Sequence, residues 1–158
     1  MIEYKSGDLL QSNCRLLVNT VNCVGVMGKG IALQFKQAYP GMFLTYKQVC
    51  GSNLRNGGDL WLWKNPDTQL LIDSNRLPHD VLCFATKEDW RNPSKLEWIE
   101  RGLVKFRELV KSDQSIYSIY SVAFPKLGCS NGGLDWADVQ KLMEKYLGPL
   151  EIKCEIWL

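Results

Sequence analysis

One local pattern occurs twice in this chain: an apolar strand-like run enters a glycine-rich loop, and the loop enters an amphipathic helix. The first copy is NTVNCVGVMGKGIA, with its loop at residues 25–31, and the second is FPKLGCSNGGLDW, with its loop at residues 128–133. Glycine lets backbone N–H groups turn toward one point, and a helix N-terminus adds partial positive charge. Two such loops at strand ends therefore predict an α/β architecture with a diphosphate site.

A single glycine-rich loop is more often a tight turn or a helix start, and the pairing of two loops is what favours a binding site. The Walker pattern GxxxxGK[ST] is absent, and neither loop is GxGxxG with an acidic residue after the next strand. Classical nucleoside triphosphatases and dinucleotide-dependent dehydrogenases are therefore excluded.

Hydrophobic periodicity predicts strands alternating with helices. Strand-like runs lie at residues 2–5, 16–20, 60–64, 70–73, 81–85, 116–124 and 150–158, and in the last run positions 150, 152, 154, 156 and 158 are expected to face one way. Helices are expected at about 28–39, at 96–110, and after Asp135, which is expected to cap a helix that ends at Gly148 and Pro149. This alternation predicts an α/β domain with a mixed sheet covered by helices on both sides.

The bulk properties exclude several classes of protein. The 158 residues fit one domain, no apolar window is long enough for a membrane span, and the N-terminus lacks a secretory pattern, so we expect a cytoplasmic protein that contacts no membrane. The six cysteines are widely spaced and are expected to be free thiols, while the single histidine argues against zinc. We therefore expect no metal and no cofactor, and the net charge of +2 does not repel an anion.

Four ordered segments carry a resemblance to a known family: GDLL, NTVNCVGVMGKGIALQFK, FATKEDWRNPSKLEWIERGL and FPKLGCSNGGLDW. Over nearly the whole chain they resemble the macrodomain family, and within it the DarG-type branch of DNA ADP-ribosyl glycohydrolases, which is related to the terminal ADP-ribose protein glycohydrolase. The resemblance implies a single domain over residues 1–158, folded as a three-layer α/β/α sandwich with a mixed central sheet. It also implies that ADP-ribose binds over the carboxyl ends of the strands.

The resemblance assigns binding roles position by position. Asp8, with the backbone of Leu9 beside it, would accept a hydrogen bond from the adenine amino group, although a turn or cap role is the simpler alternative. Asn22 would lie near the distal ribose, and Lys29 is as well explained by solvation. The remaining residues implied to bind ADP-ribose are Gly25, Val26, Met27, Gly28, Gly30, Ile31, Pro125, Leu127, Gly128, Cys129, Ser130, Asn131, Gly132 and Gly133.

The same resemblance makes Lys87 the catalytic candidate. A desolvated amine near other cations loses its proton and can attack the anomeric carbon or form a Schiff base, whereas a cationic amine would stabilise developing charge. Without the resemblance, Lys87 would be interpreted as a surface lysine. Trp90 and Arg91 match the same branch and would contact single-stranded DNA, while Ser94 with Glu97 is expected to cap the following helix.

One position departs from the protein glycohydrolase. Gly132 stands where that relative carries an acidic residue, and the nearby Asp135 is better explained as a helix cap. This departure favours the DarG-type interpretation over action on ADP-ribosylated protein.

Three functions stay open at this point. The first is removal of ADP-ribose from thymidine in DNA, in a toxin–antitoxin context. The second is an ADP-ribose 1″-phosphate phosphatase or O-acetyl-ADP-ribose deacylase, and the third is a non-catalytic ADP-ribose reader. DarG-type antitoxins usually carry a further C-terminal region that holds the toxin, so we do not expect this chain to sequester one, and we expect a monomer.

Overall fold

The computed structural model describes residues 1–66, 79–112 and 121–158. The described strands form one six-stranded sheet in the order β1-β6-β5-β2-β4-β3. Every neighbouring pair is parallel except β3 and β4, which are antiparallel. The strands are β1 (Ile2–Lys5), β2 (Leu16–Val21), β3 (Leu60–Trp63), β4 (Asp80–Ala85), β5 (Ser121–Pro125) and β6 (Lys153–Trp157).

Four described helices cover the two faces of this sheet. Helices α1 (Gly30–Ala38) and α2 (Pro40–Val49) pack on one face, and α3 (Leu96–Ser112) and α4 (Trp136–Leu147) pack on the other. The central strands are buried on both sides, so their runs are apolar without strict alternation. The result is the three-layer α/β/α sandwich with a mixed sheet that the sequence predicts.

Helix α3 lies directly on strand β4. Its apolar stripe buries Ile99, Leu103 and Phe106, which recur at three- and four-residue steps. Between them, a Cβ on Gly102 would overlap the ring of Phe84, so only glycine allows this close approach. The predicted helix is therefore confirmed, and its packing fixes the position of the strand that leads to Lys87.

Helix α4 begins and ends as its sequence predicts. The Asp135 side chain accepts a hydrogen bond of 3.0 Å from the backbone N–H of Ala137, and Gly148 is the C-terminal cap. All six cysteines are free thiols, as expected from their spacing. None of the described helices combines the length and apolar composition that crossing a bilayer requires.

The helix predicted at 28–39 is shorter than expected and is followed by a helix that the sequence analysis missed. Helix α1 starts at Gly30 because Lys29 is extended, and Tyr39 leaves the helical region at φ −131° and ψ 70°. The residue before a proline is disfavoured in helical conformation, so Pro40 ends α1 and occupies the first turn of α2.

Two other predictions at element ends are wrong. Strand β6 begins only at Lys153, and Leu158 is 51% exposed, so the alternation predicted for 150–158 does not reach the chain end. Ser94 does not cap α3: it is buried, and its Oγ has no hydrogen-bond partner among the described residues. The strand predicted at 70–73 and the first half of that at 116–124 lie outside the described residues.

Candidate functional site

The carboxyl ends of four parallel strands lie along one edge of the sheet. In spatial order they are the ends of β6, β5, β2 and β4, and the chain leaves them at Trp157, Pro125, Val21 and Ala85. Ligands of open α/β sheets bind at this edge. Both glycine-rich loops and the segment that contains Lys87 start there.

The first glycine loop, residues 25–31, is held in shape by Asn22. Its Nδ2 donates to the carbonyl oxygen of Val26 at 2.8 Å, and its Oδ1 accepts from the backbone N–H of Val24 and of Val26 at 3.1 and 3.3 Å. The Tyr46 hydroxyl from α2 donates to Oδ1 at 2.9 Å. Gly25 has φ of 82°, a conformation that favours glycine. The Asn22 amide therefore orders the loop, and one Nδ2 hydrogen is left for a ligand.

The second glycine loop, residues 128–133, turns tightly on itself. The backbone N–H of Leu134 donates to the carbonyl of Gly128 at 3.0 Å, and Gly128 and Gly133 have φ of 71° and 77°. A Cβ on the buried Gly132 would overlap the Ser94 Oγ and the Gly128 carbonyl oxygen. The loop thus has no room for a side chain at this position.

The two loops face each other across the cleft. Gly30 has φ of 58°, and a Cβ built on it would lie 3.1 Å from the Asn131 Nδ2 of the opposite loop. A larger side chain at Gly30 would be strained and would crowd Asn131. Facing backbone loops, one of them at the N-terminus of α1, form an arrangement suited to a diphosphate.

Between and beyond the loops lies a cleft of about 870 Å³. That volume is within the range of small-molecule and cofactor sites. Asn22, Lys87, Trp90, Arg91 and parts of both loops line it. The loop residues that line it are Val26, Gly28, Lys29, Gly30, Ile31, Gly128, Cys129, Ser130, Asn131, Gly132 and Gly133.

A second hollow of about 830 Å³ adjoins the cleft and contains Asp8 and Leu9. The two cavities share Ile31, Pro125 and Trp157. Asp8 caps a single 3₁₀ turn, Leu9–Gln11, by accepting from the backbone N–H of Leu10 at 3.0 Å. Its cap role is thus visible, and its exposed carboxylate also lies in the hollow where the adenine is expected.

Three of the predicted contact residues line neither cavity. The side chains of Met27 and Leu127 are buried in the cores below the loops, at 2% and 0% exposure. Gly25 packs near Lys47 of α2, so it shapes the loop from behind. These three residues therefore support the conformation of the loop backbone and do not line the space for a ligand.

The cleft is cationic. Lys29, Lys87, Arg91 and Lys126 line it, and no carboxylate side chain is among its described lining residues. Arg91 forms an ion pair with Asp89 at 2.9 Å, and this guanidinium holds the pKa of the Asp89 carboxyl below its usual value. No ion pair within the described ranges engages the three lysines. A dianionic ligand would supply the missing negative charge.

Lys87 lies two residues beyond the end of β4, on the part of the sheet edge remote from Asp8. Its Nζ donates a hydrogen bond of 3.1 Å to the main-chain carbonyl of Trp90, which holds the amine at the cleft. The segment is also tied to the loop after β2, because the Cys23 N–H donates to the Glu88 carbonyl at 3.0 Å. Lys87 as a whole is half-buried, and a main-chain carbonyl orients its amine.

Trp90 and Arg91 form the rim beside Lys87. Trp90 is 48% exposed, and the Arg91 guanidinium carbon lies 5.4 Å from the centroid of its ring. An exposed aromatic face beside a cation suits a stacked base and a phosphate.

Lys126 and Trp157 are among the lining residues that sequence analysis missed. Lys126 comes directly after a predicted strand, so its position beside Pro125 was a usable signal. Trp157 belongs to the last strand, β6, and it reaches the cleft because β6 pairs with β5.

Comparison with known proteins places the fold and the two loops in a family. Residues 18–143 match the Macro domain family. The chain belongs to this family. The matched region includes both glycine loops and Lys87, whereas Asp8, Leu9 and Trp157 lie outside it.

Several relatives of this macrodomain are named DNA ADP-ribosyl glycohydrolase. It is 46% identical over 143 residues to the DNA ADP-ribosyl glycohydrolase of Mycobacterium tuberculosis, which is 89% of this chain but 37% of that relative's length. The structure of the macrodomain of Mycobacterium tuberculosis DarG matches with a TM-score of 0.85 and 42% identity, over 99% of this chain and 97% of that one. Thermosipho africanus DarTG in complex with ADP-ribose matches at 36% identity and a TM-score of 0.84, over 96% of this chain and 40% of that one.

Proposed function

We propose that this macrodomain is an ADP-ribosyl glycohydrolase that removes ADP-ribose from thymidine bases of DNA, with Lys87 as the catalytic residue. The observation that carries the proposal is the order of groups along the sheet edge. The hollow with Asp8 lies at one end, the facing glycine loops lie in the middle, and the Lys87 amine lies at the other end.

This order matches the order of groups in ADP-ribose, which are adenosine, diphosphate and distal ribose. From the end of β6 to the end of β4 is three strand spacings, roughly 14 Å. Adenine in the Asp8 hollow and the diphosphate between the loops would bring the distal ribose to Lys87. A named relative in complex with ADP-ribose supports the choice of ligand.

The glycine loops would hold the diphosphate through backbone N–H groups rather than through side-chain charge. Helix α1 begins at Gly30, inside the first loop, so its N-terminal N–H groups and dipole point into the cleft. Lys29 and Lys126 add cations to the lining, which strengthens attraction to an anion without fixing its geometry.

Lys87 could act in either of two ways. In the covalent route the neutral Nζ bonds to the anomeric carbon as the glycosidic bond breaks, and the departing base takes up the proton that the amine loses. The ribose ring then opens to a Schiff base, which water hydrolyses to ADP-ribose and the free amine. In the electrostatic route its ammonium group stabilises negative charge on the departing base. Both routes require the amine at the ribose end of the cleft.

Single-stranded DNA is the proposed carrier of the modified base. Trp90 offers an exposed ring for a flanking base and Arg91 a cation for a phosphate, and both line the cleft next to Lys87. The blocked position of Gly132 supports DNA over protein as the substrate, since the loop has no room for an acidic residue there.

Initial rates on three substrates test this function. ADP-ribosylated single-stranded DNA, ADP-ribosylated protein and ADP-ribose 1″-phosphate are offered in parallel at equal concentration. We expect the DNA substrate to be cleaved fastest. Faster release from the phosphate ester would favour a phosphatase, and no turnover of any substrate despite ADP-ribose binding would favour a reader.

A further inference from the structure

Strand β6 contains a buried carboxylate to which the proposed mechanism gives no role. Glu155 is 2% exposed, and it lies two residues before Trp157, so both side chains project from the same face of the strand. Burying a charge is unfavourable unless it is paired and hydrogen-bonded. The hydrogen-bond and ion-pair partners of Glu155 indicate which parts of the site it orients.

Glu155 collects its partners from two sides. Its Oε1 accepts from the Ser12 hydroxyl at 2.6 Å and from the Trp157 indole Nε1 at 3.0 Å. Its Oε2 lies 3.3 Å from the Lys153 Nζ and 3.9 Å from the Lys5 Nζ. Although burial opposes ionisation, these hydrogen bonds lower the pKa of Glu155, so the group stays a carboxylate.

Trp157 is part of the wall shared by the two cavities, together with Ile31 and Pro125. It lines both the hollow with Asp8 and the main cleft. The ring also closes against Gly7, where a built Cβ would lie 3.8 Å from Cζ3, beside the residue expected to contact adenine. An indole with one edge anchored to Glu155 can present its face to the ligand in a fixed orientation.

Ser12 ties this anchor to the adenine side of the site. Its hydroxyl donates to Glu155 and accepts from the backbone N–H of Cys14 at 3.0 Å. Ser12 also closes the 3₁₀ turn that Asp8 caps, because its N–H donates to the Leu9 carbonyl at 3.0 Å. The carboxylate thus links the turn with Asp8 to the indole opposite it.

We propose that Glu155 is a positioning residue for the nucleoside end of ADP-ribose, acting through the Trp157 indole that it anchors. This inference rests on the proposed function, because it takes ADP-ribose as the ligand. Glu155 itself does not touch the ligand. It fixes the wall on which the adenosine lies, and so sets where the distal ribose falls along the cleft.

A double-mutant cycle tests the proposal by calorimetric titration with ADP-ribose. Glu155→Met removes the acceptor of the Trp157 indole N–H, so the ring is no longer anchored. We expect ADP-ribose affinity to fall about tenfold, which is part of what one aromatic stacking interaction typically contributes. Glu155→Gln keeps an acceptor oxygen for the indole and should stay within about threefold of wild type. In a Trp157→Phe background, which lacks the N–H, Glu155→Met should add less than about twofold.

Inorganic pyrophosphate is the control ligand, because it needs only the glycine loops, and its affinity should be the same in wild type and Glu155→Met. All titrations run below the melting onset of the least stable variant. Equal losses in both Trp157 backgrounds, a parallel loss of pyrophosphate binding, or unchanged ADP-ribose affinity in Glu155→Met would each overturn the inference. Failure of wild type to bind ADP-ribose would instead overturn the proposed function, and this inference with it.

Discussion

At the scale of single residues, the account depends most on Lys87. Nothing in its local sequence distinguishes it from a surface lysine, and Glu88 and Asp89 follow it as in many polar turns. The structure gives it a distinct place, with its amine bonded to the Trp90 carbonyl inside a cleft that holds three other cations.

Substitution of Lys87 should separate binding from catalysis. We expect Lys87→Ala to release ADP-ribose from thymidine at least about 100-fold more slowly, the lower end of what one catalytic group contributes, while ADP-ribose affinity is retained. Lys87→Arg keeps the charge but cannot form a Schiff base, so activity in this variant would indicate the electrostatic route. Release is measured by chromatography of free ADP-ribose.

The matched control for that experiment is Lys141→Ala, which removes an exposed lysine of α4 that lines neither cavity. This variant should turn over at the wild-type rate. Wild-type turnover by Lys87→Ala would show that the amine takes no part in the reaction.

At the scale of elements, most strands follow from the sequence and one helix does not. The four strands β1 to β4 match their predicted bounds to within one residue. Buried, largely apolar runs mark β2 and β4, whereas β1 and β3 are only partly buried. Helix α2 was missed because Pro40 interrupts the apolar stripe of α1, and a proline after a helix predicts only an ending. The missed helix matters to the site, since it supplies Tyr46 to Asn22.

Tyr46→Phe should therefore loosen the first glycine loop. The buried hydroxyl bonds both the Asn22 side chain and, at 2.8 Å, its carbonyl. Its removal should lower the free energy of unfolding by about 1 kcal/mol and weaken ADP-ribose binding about threefold to tenfold. Denaturant unfolding and calorimetry measure the two effects.

Tyr39→Phe is the matched control, because it removes a hydroxyl that bonds the His79 Nδ1 at 2.8 Å, away from the loop. It should lower stability by a similar amount and leave affinity unchanged. If both variants lose the same affinity, or neither loses any, α2 does not order the loop in the way described.

At the scale of the whole molecule, the site depends on strand order, which the sequence did not predict. The pairing of β6 with β5 brings Trp157 beside Pro125, and the pairing of β4 with β2 brings Lys87 beside Asn22. Contacts between segments that are distant in sequence determine which strands lie side by side. The periodicity of a single segment therefore does not predict strand order. The predicted single domain, monomer and cytoplasmic location stay predictions.

Asp59 and Lys105 form a charge cluster, and this cluster makes the stability of the molecule depend on pH. Asp59 is buried, and burial alone would raise its pKa, but hydrogen bonds from the Lys105 Nζ and from the backbone N–H groups of Asn56 and Arg55 lower the pKa to about 2. The turn at residues 55–59 also supports the segment that contains Lys87, because the Gly57 N–H donates to the Glu88 carboxylate at 2.9 Å.

Because the folded pKa of Asp59 lies below its unfolded value, its stabilisation is present above about pH 4 and is lost as the pH falls toward 2. We expect Asp59→Asn to lose on the order of 2 kcal/mol of stability at neutral pH. The variant should also show a flatter decline between pH 4 and pH 2, measured by urea unfolding. An equally steep decline in the variant would place the acid sensitivity elsewhere.

We infer that the loops at residues 25–31 and 128–133 jointly hold a diphosphate, and the decisive experiment is calorimetry of ADP-ribose on wild type and Gly30→Val. A valine at Gly30 would adopt an unfavourable φ and crowd Asn131. We expect saturable one-to-one binding to wild type and a loss of affinity of at least about tenfold in Gly30→Val. Folded wild-type protein that releases no heat at millimolar ADP-ribose, or a valine variant that binds as well as wild type, would contradict it.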